Sequence, residues 1–133
     1  MAEGIFMNQV RTAGRADQFE IASAGTASYH AGSPPDRRTL EVLARHGIRL
    51  ESRSRQVTDA DFARFDLILA MDRSNLDTLS RRCPPQYRDK LHLTLEPTTG
   101  GDVPDPYYGG PQGFDLNYAQ LLEALEAWLE RLS

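Results

Sequence analysis

The chain has 133 residues, 40% of them hydrophobic, which suffices for one globular domain with a core. Its net charge of −4 argues against a nucleic-acid binder, although the charge is uneven: residues 1–58 hold eight Arg against six acids, and residues 59–133 seven Lys/Arg against thirteen acids. A single cysteine, Cys83, excludes an intramolecular disulfide and a cysteine-rich metal site and suits a reducing cytosol.

The N-terminal stretch M-A-E-G-I-F-M-N-Q lacks the basic and apolar regions of a signal peptide, and no apolar run approaches the length of a membrane span. The expectation is a soluble, cytoplasmic protein. Ile5, Phe6 and Val10 give residues 2–12 a helical stripe that Gly14 can stop. Phe19–Ala22 reads as a short strand leading into S-A-G-T. Asp36 then caps a helix carrying Leu40, Leu43 and Ala44 and ending at Gly47, and Thr58 caps a brief helical turn through Phe62. The run F-D-L-I-L-A-M-D at 65–72 is almost continuously apolar, the pattern of a strand buried on both faces of a parallel sheet. Ser74 followed by Asp77 resembles a capping box for the next helix, which Cys83-Pro84-Pro85 ends.

Lys90–Leu95 alternates as a strand, and a Pro/Gly-rich loop runs from Pro97 to Gly113, a length more often functional than idle in a small domain. Tyr118, Leu121, Leu122, Leu125, Trp128, Leu129 and Leu132 then share one face of a closing helix, a stripe that reads as core packing. Helices alternating with strands in this order imply an α/β layer fold with a parallel sheet.

The chemistry-bearing stretch is P-D-P-Y-Y-G-G at 104–110. Pro and Gly around Asp105 also make a simple turn. However, the proline after Asp105 holds its backbone extended and so presents the carboxylate in a defined direction, and Tyr107 and Tyr108 can wall an aromatic substrate.

Five stretches occur in order: E-I-A-S-A-G-T (20–26), D-R-R-T-L-E-V-L-A-R-H-G-I (36–48), R-S-R-Q-V-T (53–58), F-D-L-I-L-A-M-D-R-S-N-L (65–76) and D-P-Y-Y-G (105–109). Together they closely resemble the low-molecular-weight protein tyrosine phosphatases, over essentially the whole chain. The related arsenate reductases generally lack the tyrosine-bearing acid loop. The resemblance implies a single phosphotyrosine protein phosphatase I-like domain over 1–133: a three-layer α/β fold with a four-stranded parallel sheet flanked by helices. It also implies a phosphomonoester hydrolase that acts on phosphotyrosine proteins without a metal or other cofactor. In that family a cysteine thiolate in a C-x5-R phosphate loop attacks phosphorus, backbone N–H groups and the arginine bind the oxygens, and an Asp protonates the leaving phenolate. Asp105 matches the acid. Tyr107 and Tyr108 match the aromatic rim, and Tyr29 the other aromatic wall, though a half-buried structural Tyr29 fits as well. The resemblance also permits a tyrosine kinase to phosphorylate Tyr107 or Tyr108. Asp72 and Ser74 are expected to cap a helix and buttress the site, and Arg55 to make structural hydrogen bonds. His30, His46 and His92 have no catalytic partner in the pattern.

The family's phosphate loop precedes a stretch like M-A-E-G-I-F, which here is residues 1–6. The reading is therefore of an N-terminally truncated domain lacking the first strand, the nucleophilic Cys and the Arg. Cys83 does not replace them: C-P-P-Q-Y-R is C-x4-R, and its prolines remove backbone donors a phosphate cradle needs. The alternative is a non-catalytic binding or scaffolding module.

Overall fold

The computed structural model describes residues 1–25, 36–50, 55–104 and 112–132. Five α-helices are described: α1 (Ala2–Thr12), α2 (Arg37–Arg45), α3 (Asp59–Arg64), α4 (Arg73–Arg82) and α5 (Gly113–Arg131). Two strands, β1 (Ile68–Ala70) and β2 (Leu91–Leu93), pair in parallel with Ile68 opposite Leu91 and Ala70 opposite Leu93. The α/β class and the parallel pairing agree with the sequence reading. Short 3₁₀ turns at Ala16–Gln18 and Pro85–Lys90 complete the set.

Local chemistry sets most of the helix ends. The Asp36 side chain accepts the Arg38 N–H at the start of α2, and Gly47, at φ +73°, follows its end in the left-handed region that glycine tolerates. Thr58 and Asp61 form a reciprocal capping box on α3. For α4 the expected Ser74 box is corrected. Asp72 is the cap and accepts the Asn75 N–H at 2.7 Å, while Ser74 lies inside the first turn, because the helix already begins at Arg73 and its orphan N–H groups fall two residues earlier than a Ser74 cap requires.

Side chains of β1 alternate between two packing layers, which explains its apolar run. Ile68 and Ala70 pack with Phe62, Leu79 and Cys83 on the α3/α4 side. Leu67, Leu69 and Met71 pack on the other face against the cluster of Ile5, Leu43, Leu121, Leu125 and Trp128, contributed by α1, α2 and α5. The strands themselves are shorter than the 65–72 and 90–95 runs. Beyond Leu93 the chain turns over residues 94–99, fastened by Thr94, whose N–H and hydroxyl both donate to the Ala70 carbonyl, and by the Trp128 indole N–H, which donates to the Thr94 carbonyl at 2.8 Å.

The expected strand at Phe19–Ala22 does not form among the described residues. Phe19 has an extended backbone and its ring meets Phe6 edge-on at 5.5 Å, but the segment's one ladder contact is the parallel bridge of Gly25 with Gln56. A strand needs a neighbour along its length to satisfy its backbone groups, and no described strand pairs with residues 19–22.

Candidate functional site

Between the Phe19–Gly25 segment and β1 lies a groove of about 960 Å³. Phe6, Phe19, Ile21, Leu67, Leu69 and Met71 line it, so its walls are mainly apolar. The groove runs along a strand edge that no described strand covers. The Ala70 carbonyl is taken by the Thr94 N–H on the β2 side, so alternation along the strand turns the Leu69 N–H and C=O toward the opposite edge. No described strand pairs there. A strand packed on both faces, as β1 is, normally has both edges covered.

Asn117 of α5 also lines the groove. Its residue is 6% exposed, and its side-chain oxygen finds no donor among the described residues. Such an atom marks where a donor is wanted. At the N-terminal end of α1, burial pushes the pKa of the Met1 amino group down, although Glu3 opposes the shift. Glu3 also accepts the Ser23 hydroxyl at 2.6 Å and so ties α1 to the groove's opposite wall.

The C-terminal end of β1 and the start of α4 form the polar end of the groove. Asp72, Asn75, Arg55 and Pro104 meet it there. Arg55 makes the structural contacts expected of it: its guanidinium donates to both Asp61 carboxylate oxygens, at 2.9 and 3.2 Å. This fork, together with the Thr58 N–H, holds the Asp61 carboxyl below the usual carboxylate range despite the opposing effect of burial. Asp72 caps α4 at the groove, as the sequence suggested.

Asp105, Tyr29, Tyr107 and Tyr108, the residues matched to the acid and the aromatic walls, lie outside the described residues, as does His30. His46 closes α2 and stacks on Tyr118 with centroids 3.9 Å apart, while His92 contacts the Glu96 carboxylate and the Asp89 carbonyl. Cys83 sits 3% exposed in the α3/α4 layer, its Sγ against the Pro84 carbonyl, and burial pushes its thiol pKa up. A thiol kept protonated in an apolar layer is a poor nucleophile, in keeping with the sequence reading. Sequence reasoning passed over Asp102, which accepts a hydrogen bond at the start of α4, and Asn117. The D-V-P preceding Asp105 was the available signal for the first. Nothing in the helical stripe distinguished the second.

The family model described as low molecular weight phosphotyrosine protein phosphatase matches residues 1–133. A protein of that name from Schizosaccharomyces pombe is 42% identical over 137 residues, covering 100% of this chain and 88% of the relative. One from Rattus norvegicus is 37% identical over 135 residues, covering 98% and 85% respectively. The crystal structure of a protein tyrosine phosphatase from Entamoeba histolytica, with Hepes in its active site, superposes with a TM-score of 0.94 at 36% identity, covering 98% of this chain and 86% of that one. The helices, the parallel strands and the groove beside β1 thus carry a matching sequence from end to end, and the chain belongs to the low molecular weight phosphotyrosine protein phosphatase family.

Proposed function

We propose that this chain is the larger part of a phosphotyrosine-protein phosphatase domain, completed by a β-strand and a C-x5-R phosphate loop encoded upstream of Met1. The groove beside β1 carries this reading. It is mainly apolar, it runs along an edge that no described strand covers on a strand packed on both faces, and it holds the Asn117 amide oxygen, which has no donor among the described residues. One inserted strand would cover the edge, and the loop following it would arrive at the N-terminus of α1. The relatives' greater length supports the same reading, since this chain spans 85–88% of them. Buried Cys83 offers no substitute nucleophile.

In the completed enzyme a loop thiolate attacks phosphorus, forming an S–P bond as the bond to the tyrosyl oxygen breaks, and the loop's N–H groups and arginine hold the phosphate oxygens. Asp105 donates its proton to the leaving phenolate, and water then hydrolyses the phosphocysteine. Tyr29, Tyr107 and Tyr108 shape the slot for the phosphotyrosine ring. The setting is cytoplasmic, and a tyrosine kinase acting on Tyr107 or Tyr108 completes the reading; mass spectrometry finding both tyrosines unmodified in cells removes that last element.

The decisive test of the acid is Asp105→Ala in the form extended upstream. Its kcat/KM for phenyl phosphate should fall by about 100-fold, with a much smaller loss on p-nitrophenyl phosphate, whose leaving group needs less protonation. Equal kcat/KM for the variant and the parent on phenyl phosphate removes Asp105 from the mechanism.

A further inference from the structure

Asp102 precedes the acid by three positions. Its Oδ1 accepts the backbone N–H of Arg73, the first residue of α4, at 2.9 Å. The next residue, Val103, donates its N–H to the Met71 carbonyl at 2.7 Å, and its side chain is buried in the α1/α5 core. Two successive residues are therefore tied to the turn between β1 and α4, one through its side chain and one through its backbone. Pro104 has a ring-fixed φ and restricts Val103 to extended conformations, and Asp105 follows one Cα step of about 3.8 Å later.

Asp102 is itself exposed, so burial does not account for its contact. The positive end of α4 does, and Asp72 shares that end through the Asn75 N–H. Two carboxylates thus hold the first turn of one helix: Asp72 from within the helix's own lead-in, and Asp102 from the segment leading to the acid.

We propose that Asp102 is a positioning residue for the phosphoryl transfer, fixing through the Arg73 N–H the point from which the acid-bearing segment departs. The inference rests on Asp105 being the general acid. A proton donor must come within about 2.6–3.2 Å of the leaving oxygen, and a displacement of about 1 Å in a reacting group can cost on the order of 100-fold in rate. A plain helix cap would affect stability alone, whereas a positioning residue affects proton delivery.

The two roles separate in the upstream-extended enzyme. In Asp102→Ala, kcat/KM for phenyl phosphate should fall by about tenfold and that for p-nitrophenyl phosphate by less than about twofold, since only the first needs full protonation of its leaving group. Asp102→Asn, whose amide oxygen still accepts from Arg73, should recover phenyl phosphate turnover to within about threefold of the parent. Equal losses on both substrates, or none, overturn the proposal. An Asp105→Ala variant insensitive to the leaving group would instead overturn the assignment of the acid. Amide exchange in the 133-residue chain reads the tether without catalysis: Arg73 and Val103 should exchange faster in Asp102→Ala, and unchanged exchange at both also overturns the proposal.

Discussion

Asp61 shows how one buried carboxylate can organise a wall of the site. It returns the capping bond to the Thr58 N–H, takes both arms of Arg55, and is 8% exposed. Because these contacts lower its folded pKa below the unfolded value, its contribution is fully present above the unfolded pKa and is lost as pH falls through the folded one. Wild-type stability should therefore drop below about pH 4, and Asp61→Asn, which cannot titrate, should flatten that part of the curve while costing about 1–2 kcal/mol at neutral pH. Urea titrations from pH 3 to 7 check both, and parallel pH curves for the two proteins contradict the account. Arg55 was legible as structural from sequence. Its partner was not, because the fork spans a helix start that only folding brings into register.

A hydrogen-bonded clasp ties the strands to α5. Thr94 is fully buried, its carbonyl receives the Trp128 indole N–H, and its own N–H and hydroxyl hold the end of β1. Trp128→Phe keeps most of the apolar volume but leaves that carbonyl without its donor, so the protein should lose about 1–3 kcal/mol by urea denaturation followed by circular dichroism. A loss below about 0.5 kcal/mol would show that the indole contributes only packing. Helix positions were readable because caps act locally: Asp36, Gly47 and Thr58 mark ends that the structure reproduces. The strands were less so, since strand length depends on neighbours distant in sequence. The 65–72 run has β2 on one edge and nothing described on the other, and Phe19–Ala22 has no strand partner among the described residues. At α4 the sequence offered both Asp72 and Ser74 as caps, and Asp72 holds the role.

For the whole molecule, the groove beside β1 is where the packing layers meet. Helices cover both faces of that strand, β2 covers one edge, and the other edge opens on an apolar channel of about 960 Å³ that ends at Asp72 and Pro104. The family was legible from five stretches spread along the chain, and the comparisons bear that out. The catalytic half proposed for it depends on what fills the channel. The most direct measurement is vanadate-sensitive hydrolysis of p-nitrophenyl phosphate by the 133-residue chain beside the form carrying the residues encoded upstream of Met1. No turnover is expected from the first and clear turnover from the second. Turnover by the 133-residue chain that is lost in Cys83→Ser, or an inactive extended form, would contradict it.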